Sequence, residues 1–310
     1  MKAALLPDRG VIKVAGDAAR NFLHGLVTAD ILTLAPVTAR FSALLTPQGK
    51  IIADFFVIEG SAAQGGGLGD GFFLDVPGAL TATLVERLNL YRLRAKITIE
   101  DMSAKLAVLA AWDDNAKDGG IGHDAARAIK LGLGYADPRL PALGLRAIVP
   151  AERAAEAAAE VSASVVAASD YEAHRIALGV PSGGVDFAYS DAFPHETDMD
   201  QLGGVDFKKG CFIGQEVVSR MQHRGTARTR AVPVRFEGAA PDAGTAITAG
   251  GRPVGTLGST GGGRGIALLR LDRVDEALAE GGTLTAGSVP LHLVKPDWAR
   301  FPFPGEKGGE

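Results

Sequence analysis

Hydrophobic positions at the start of the chain change from strand-like to helix-like spacing. Residues 3–6 and 10–14 are short apolar runs on either side of a Pro-Asp-Arg-Gly turn, and this pattern predicts two strands. Apolar side chains then recur at helical spacing over residues 18–27, directly after Asp17, which is a candidate N-cap. The first thirty residues therefore predict a strand, a turn, a second strand and a helix.

A β-hairpin is predicted next, because residues 40–45 and the very apolar run 50–58 flank the turn 46–49. Helix-like and strand-like spacing alternates after it, with loops at 61–71 and 113–124. Strands are predicted at 72–76, 95–101, 106–111, 129–135 and 145–149, and helices at 79–93, 151–163 and 170–179. This order indicates an α+β fold in which helices cover one face of a sheet.

The pattern changes at residue 226, where short apolar runs separated by glycine turns become the rule. These runs predict strands at 232–236, 246–249, 253–258, 265–271 and 291–294, which is typical of a small β-barrel. We therefore predict an α+β region over 1–225, made of two interleaved subdomains that separate near residue 105. A barrel over 226–300 and a tail over 301–310 follow.

Composition excludes some classes of function but does not identify one. A chain of 310 residues is long enough for two or three domains, and 46% hydrophobic residues supply a sizeable core. A net charge of −4 gives no sign of general nucleic-acid binding. The N-terminal segment lacks a signal-peptide pattern, and no run of about 18 apolar residues occurs. We therefore expect no membrane association and a cytoplasmic location.

The strongest candidate for chemistry is Cys211, which is the single cysteine of the chain. One cysteine excludes an intramolecular disulfide and suits a reducing compartment. Lys208 and Lys209 precede it, and neighbouring cations favour the reactive thiolate. Gly210 and Gly214 allow a sharp turn or a close approach to a ligand. The alternative is that Cys211 is a small buried apolar residue, as free cysteines often are.

The ordered string around this cysteine is more informative than its residue types. Residues 209–216 read Lys-Gly-Cys-Phe-Ile-Gly-Gln-Glu, and Arg220 follows Glu216 at the i,i+4 spacing of a helical pair. The string resembles the signature of the YgfZ family, the folate-binding relatives of the glycine-cleavage T-protein. The resemblance extends over almost the whole chain and is strongest at 175–225. It implies a T-protein-like, multi-domain folate-binding fold with a small C-terminal β-barrel.

A second candidate is Asp54, an acid inside an apolar strand. An unpaired buried carboxylate is costly, so Asp54 faces solvent, a partner or a ligand, and the pattern leaves these options open. Residues 49–57 resemble the T-protein turn and strand whose second Asp lies at the reactive nitrogens of folate. Asp54 matches that second Asp, while Ala53 replaces the first. The resemblance implies that Asp54 hydrogen-bonds the pterin or relays a proton near it.

Two further segments match family elements between the hairpin and the cysteine string. Residues 175–181, which begin with Arg175, resemble the family's Arg-Ile-x-x-Gly-x-Pro element. T-proteins carry a folate-holding Glu where this chain has Ala177, which argues against glycine-cleavage activity. Residues 193–199 resemble a Pro-x-Glu segment that contains Glu196. His195 and Glu196 form a possible metal pair, but no third ligand is clustered with them, so we predict no metal site.

The resemblance implies a factor that binds tetrahydrofolate or a derivative and assists the assembly or repair of iron–sulfur proteins, with tRNA modification among the processes supported. Its partners would be folate and iron–sulfur scaffold or client proteins. A single cysteine cannot hold a cluster alone, so Cys211 would share one with a partner or handle one only in passing. The implied catalytic residues are Cys211 and Asp54, and the implied cofactor-binding residues are Asp54, Arg175, Glu196, Lys209, Gly210, Gln215, Glu216 and Arg220.

Two other functions stay open at this point. A folate-dependent aminomethyl or methyl transferase would use Asp54 beside the reactive nitrogens, and turnover of a one-carbon donor would support it. A thiol-mediated interaction module without folate is the third possibility, and a failed folate titration would favour it. Fold resemblance alone does not decide among the three.

Overall fold

The structure is a computed structural model that describes residues 1–36, 38–60, 67–114, 122–225 and 227–306. Parts of the predicted loops 61–71 and 113–124, the boundary residue 226 and the end of the predicted tail lie outside these ranges. The chain forms two compact units, Met1–Tyr171 with Leu202–Gln215 and Glu172–Gln201 with Glu216–Glu310. This division differs from the predicted boundaries near 105 and at 226. Residues 172–201 belong to the second unit, and residues 202–215 return to the first.

Two five-stranded sheets build the first unit. One has the strand order β3-β4-β5-β2-β6 and is antiparallel throughout, and the other has the order β10-β1-β7-β9-β8. The strands are β1 (Lys2–Leu5), β2 (Arg9–Ala15), β3 (Ala39–Leu45), β4 (Ile51–Gly60), β5 (Gly71–Pro77), β6 (Thr98–Asp101), β7 (Leu106–Trp112), β8 (Leu133–Ala136), β9 (Leu145–Pro150) and β10 (Ser164–Val165). The first two strands are separated by a short turn, yet they belong to different sheets.

Helices cover the outer face of each sheet in this unit. The helices are α1 (Ala19–Leu26), α2 (Thr81–Arg92), α3 (Gly122–Ala128) and α4 (Ala154–Glu160). Leu23 and Leu84 from α1 and α2 share a core with alternate residues of the first sheet, such as Phe55. Ala157 of α4 packs in the same way on the second sheet. The inner faces of the sheets meet each other, so the predicted α+β fold with helices on one face is confirmed.

The second unit contains a closed barrel of strand order β11-β14-β13-β12-β15-β16. Its strands are β11 (Thr229–Arg235), β12 (Ala246–Ala249), β13 (Arg252–Gly261), β14 (Arg264–Arg270), β15 (Leu284–Ala286) and β16 (Val289–Leu293). The pattern predicted this barrel but missed its strand β15 and the helix α7 (Leu271–Ala279), which lies on its core. Phe301 and Phe303, placed in the predicted tail, are also buried in that core.

The chain passes from one unit to the other within two helices, α5 (Ala168–Ala177) and α6 (Gln215–Arg224). The helix α6 follows the cysteine string directly, as its spacing predicted. None of the helices in the described part of the chain combines the length and apolar character that crossing a bilayer requires.

Candidate functional site

The cysteine string forms a loop in the first unit, which we call the signature loop and define as residues 208–214. Lys209 anchors it, because its Nζ donates hydrogen bonds of 2.5 Å to the carbonyl oxygens of His24 and Val27 at the C-terminal end of α1. A cation is favoured at that end of a helix. Burial lowers the pKa of Lys209 from 10.5 to about 8, although Asp30 and Asp206 act in the opposite direction.

Glycines shape the rest of the loop. Gly210 has a φ of +98°, and Gly214 has a φ of +79°, a region that favours residues without a Cβ. A Cβ on Gly214 would lie 2.5 Å from the carbonyl oxygen of Thr46, so the loop packs tightly on the β3–β4 turn. Between these glycines Phe212 is buried, whereas Cys211 is exposed. The alternative reading of Cys211 as a buried apolar residue is therefore wrong.

A buried set of hydroxyl groups fixes the chain just before the loop. Thr28 Oγ1 donates to the carbonyl oxygen of Gly204 at 2.6 Å and accepts from the backbone N–H of Ala43 at 2.8 Å. The backbone N–H of Asp206 donates to the Thr28 carbonyl oxygen at 2.9 Å. Ser42 lies 3.3 Å from the same hydroxyl. The signature loop is thus held to strand β3 before the cysteine and to the β3–β4 turn after it.

Asp54 lies on the strand next to these anchors. It pairs with Ala43 across β3 and β4, and the residue is partly exposed. Its neighbours Ala53 and Phe55 belong to the core beneath the helices. Strand alternation therefore places Asp54 on the inner face of the sheet, together with Phe56. The structure brings Asp54 and the signature loop to one part of the first unit.

The inner face beyond Asp54 carries a buried charge network that the pattern did not reveal. Asp75, which is fully buried, accepts hydrogen bonds from Arg9 Nε at 2.6 Å, Arg146 Nε at 2.8 Å and the Tyr135 hydroxyl at 2.7 Å. Burial alone would raise the pKa of Asp75, but Arg146 and Arg9 hold it below 3.8. The guanidinium of Arg146 also lies 4.7 Å from the ring centre of Phe56.

The network has one signal in the sequence, since arginine is rare inside an apolar strand. Arg146 interrupts the apolar run of β9 in the same way that Asp54 interrupts β4. Its pairing with Asp75 depends on two distant strands meeting face to face, which no local pattern records.

Arg175 belongs to the second unit, where all of its donor nitrogens are engaged. Its Nη1 donates to the Val180 carbonyl oxygen at 2.5 Å and to Asp186 at 3.0 Å, and its Nη2 donates to Ser259 at 2.9 Å. Its Nε donates to Glu172 at 3.1 Å. The side chain is nearly inaccessible. Its predicted role in cofactor binding stays a prediction, and the geometry gives it a clear structural role.

The other predicted site residues of the second unit are Glu196, Glu216 and Arg220. The Glu196 carboxylate accepts a hydrogen bond from the backbone N–H of Phe193 at 2.8 Å. Arg220 donates to Glu216 at 2.6 Å, so the predicted i,i+4 pair is confirmed. Gln215 begins α6 in the first unit. Within the described ranges, no three His, Cys, Asp or Glu residues are grouped so as to hold a metal ion.

Comparison with solved structures defines the class of fold. The chain superposes on the glycine cleavage system aminomethyltransferase T from Bartonella henselae with a TM-score of 0.72, over 97% of this chain and 87% of that one. Sequence identity is 14%, so the likeness concerns the fold alone. The predicted T-protein-like fold with a C-terminal barrel is confirmed. Residues 228–301 also match the family profile described as CAF17, C-terminal beta-barrel domain.

Sequence relatives define the family. The mitochondrial iron–sulfur cluster assembly factor IBA57 of Homo sapiens is 30% identical over 314 residues, which cover 94% of this chain and 84% of that protein. An IBA57 homolog of Mycosarcoma maydis is 35% identical over 242 residues, or 76% of this chain. The chain belongs to the IBA57 family. It spans just over half the length of the fungal relative, 57%.

The relatives overturn one expectation. The matched proteins of Mycosarcoma maydis and Homo sapiens are both described as mitochondrial. The predicted cytoplasmic location is therefore wrong by this comparison. It rested on the lack of a recognisable signal pattern, which does not identify a compartment.

Proposed function

We propose that this protein is a tetrahydrofolate-binding factor that assists the assembly or repair of iron–sulfur proteins, with Cys211 as its working thiol. The observation that carries the proposal is the exposed cysteine on a loop fixed at both ends, in a chain that covers 84% of a 30% identical iron–sulfur cluster assembly factor. This is the YgfZ type of function that the cysteine string implies.

The geometry of the signature loop supports a thiol that meets a partner. Lys209 and Gly214 fix the loop, while the exposed sulfur of Cys211 lies between them. Iron–sulfur clusters bind several thiolates or a mixed cysteine and histidine set. One sulfur therefore acts by completing the ligand set of a cluster that a scaffold or client protein also holds, and the cluster is cargo rather than a resident cofactor.

The residues near Asp54 fit the chemistry of a reduced folate in part. A partly exposed carboxylate on the inner face of the sheet accepts hydrogen bonds from the N–H groups of a pterin. Lys208 is exposed and suits the carboxylates of the glutamate tail. Arg175 fits less well, because its donors are used within the second unit. We therefore assign the folate contact to Asp54 and Lys208 before Arg175.

A folate-dependent one-carbon transferase is the second candidate. It is favoured by the position of Asp54, whose carboxylate can hold or accept a proton at a bound amine. The folate would supply the one-carbon unit, and Asp54 would orient it. Anaerobic incubation with tetrahydrofolate and an aminomethyl or methyl donor tests this function, because only a transferase converts the folate catalytically.

The folate part is tested by anaerobic calorimetry with tetrahydrofolate. We expect saturable binding by the wild type that is lost in Asp54→Ala, weakened in Lys208→Met and kept in Cys211→Ser. Asp242→Asn, which changes an exposed acid on the barrel, is the matched control and should bind like the wild type. If the wild type does not bind tetrahydrofolate, the folate part of the proposed function is excluded, and only the role of the Cys211 thiol remains.

The iron–sulfur part is tested by complementation of human cells depleted of their 30% identical relative, with this chain directed to the same compartment. We expect the wild type to restore the activities of iron–sulfur enzymes and Cys211→Ser to fail at equal abundance. Ser219→Ala, a nearby change outside the signature loop, is the control. Full restoration by Cys211→Ser would remove the thiol from the mechanism.

A further inference from the structure

A patch of cations and exposed leucines lies at the C-terminal end of α2, on a part of the first unit that the proposed function does not use. Leu90 is 63% exposed and Leu93 is 86% exposed. The patch, which we call the basic leucine patch, consists of Arg87, Leu90, Arg92, Leu93, Arg94 and Lys96, all of them exposed.

Leu93 is unfavourable in its backbone conformation as well as in its exposed apolar side chain. Its φ of 47° and ψ of −109° are those of the first central residue of a type II′ turn, which prefers glycine. The backbone N–H of Ala95 closes this turn on the carbonyl oxygen of Arg92 at 2.8 Å. A leucine there combines backbone strain with an apolar side chain left in water, and strain of this kind is often associated with function.

The cations of the patch have no partner among the residues that the structure describes. The side chains of Arg87, Arg92, Arg94 and Lys96 form neither an ion pair nor a hydrogen bond with any residue of the described ranges. Glu86 is the one acid in α2. The patch is thus strongly positive on a chain whose net charge is −4.

The leucines decide what kind of partner fits. Single-stranded nucleic acids need aromatic side chains for base stacking, but the six patch residues include none and Tyr91 beside them packs against the core. Insertion into a lipid surface needs a broad apolar helix face, but Leu84 and Leu88, the apolar face of α2, are buried in the core of their own unit. An acidic protein segment that carries its own apolar side chains complements both the charge and the two leucines.

We infer that the basic leucine patch is a docking surface for an acidic amphipathic segment of a partner protein. The carboxylates of the segment pair with the four cations, and its apolar side chains cover Leu90 and Leu93. This goes beyond the proposed function, since it involves neither Cys211 nor Asp54.

The test uses a fluorescein-labelled synthetic helical peptide with two leucines four residues apart, flanked by glutamates, titrated with the full chain at low salt and followed by anisotropy. We expect saturable binding by the wild type and about tenfold weaker binding by Leu93→Gly, which removes one buried leucine contact. Arg92→Gln with Arg94→Gln should weaken binding and reduce its salt dependence. Arg235→Gln with Arg273→Gln, an equal charge change at exposed residues of the second unit, should bind normally.

Controls on the peptide separate the two contributions. Glutamine in place of its glutamates, or serine in place of its leucines, should each weaken binding by about tenfold or more. Equal binding of all peptides, failure of the wild type to bind, or equal losses in the barrel control would overturn the inference. So would tighter binding to vesicles with 30% phosphatidylserine or to a uridine 20-mer, if the patch variants abolished it.

The melting temperature of Leu93→Gly provides a second readout. Glycine relieves the turn strain, so we expect this variant to melt at or above the wild-type temperature while it loses peptide affinity. A clear fall in melting temperature would show that Leu93 serves the fold, and the docking role would then be rejected.

Discussion

Each unit of the protein buries an aspartate beside an arginine, and the two carboxylates are held in opposite ways. Asp75 in the first unit and Asp198 in the second are both fully buried. The pKa of Asp75 is lowered despite burial, because Arg146 and Arg9 both act on it. Burial raises the pKa of Asp198 well above 3.8, and Arg230 opposes this too weakly.

The difference comes from how many donors each carboxylate receives. Asp75 accepts hydrogen bonds on both of its oxygens, from two arginines and a tyrosine. Arg230 gives its two closest carboxylate contacts to Asp200, at 2.6 and 3.0 Å, and reaches Asp198 at 3.2 Å. Asp198 Oδ2 is buried and makes no hydrogen bond to any residue of the described ranges. A neighbouring arginine therefore stabilises a buried carboxylate less when the arginine also donates to a second carboxylate.

The largest effect is expected from Asp75→Asn. The variant leaves Arg9 and Arg146 without their carboxylate, and breaking a buried ion pair in this way costs about 3–5 kcal/mol. Urea unfolding followed by tryptophan fluorescence measures the loss, because each unit contains one tryptophan, Trp112 or Trp298. Asp242→Asn on the barrel is the control. A loss below about 1 kcal/mol would mean that the network adds little to stability.

Asp198→Asn should behave in the opposite way. Because its folded-state pKa is raised, the folded state binds more protons than the unfolded state at pH values above 3.8, up to that raised pKa. The free energy of unfolding therefore falls as pH rises through this window, and asparagine removes that dependence. Asparagine also tolerates the φ of 58° at this position.

We expect the free energy of unfolding of Asp198→Asn at pH 7 to lie within about 1 kcal/mol of the wild-type value, or above it. The advantage should shrink as the pH falls towards 3.8, because the wild type regains stability as the pH decreases to the ordinary pKa of the carboxyl. Asp200→Asn is the informative control, since it removes the carboxylate that Arg230 contacts most closely. Destabilisation of Asp198→Asn at pH 7 as large as that of Asp75→Asn would contradict the comparison.

Lys209 extends the comparison to a half-buried cation that is held by carbonyl oxygens. Lys209→Met should lower the free energy of unfolding by about 1 kcal/mol, because two helix-end carbonyls lose a charged donor. Its folded-state pKa of about 8 lies below the ordinary 10.5, so the unfolded state binds more protons between these values. Wild-type stability should therefore rise from pH 8 to 10.5, and that of the variant should not.

The matched control is Lys208→Met, which changes an exposed neighbour. Iodoacetamide labelling of Cys211 gives an independent readout, because a loop released from α1 should alter the labelling rate. Identical pH profiles for Lys209→Met and the wild type would show that the titration of Lys209 is not coupled to folding.

Much of the fold could be predicted because apolar spacing is a local property. The hairpin of β3 and β4, five of the six barrel strands and the helix after the cysteine string all follow from the spacing of neighbouring residues. The assignment of β1 and β2 to different sheets did not, since strand pairing depends on distant contacts. The short helix α7 was missed because the strand-like run before it continues into its first residue, Leu271.

The candidate site was predictable where a residue type conflicts with its surroundings. Asp54 in an apolar strand and Cys211 between glycines are conflicts of this kind, and both lie in the first unit. Arg175 was chosen by resemblance alone, and its side chain bonds to Asp186 and to Ser259, the second of which is remote in sequence. Lys209 was expected to act on the thiol, but its anchoring role depends on where α1 ends.

The smallest effect is expected for an exposed ion pair, which serves as the reference for the buried pairs. Glu216 and Arg220 form an ion pair at 2.6 Å, but their side chains are 84% and 54% exposed. Water competes for both groups, so a double-mutant cycle with Glu216→Gln and Arg220→Gln should give a coupling energy of about 0.3–0.5 kcal/mol. Because exposed charges are screened, the coupling should disappear in 1 M NaCl. Coupling as strong as that at Asp75 would show that burial is not what separates these pairs.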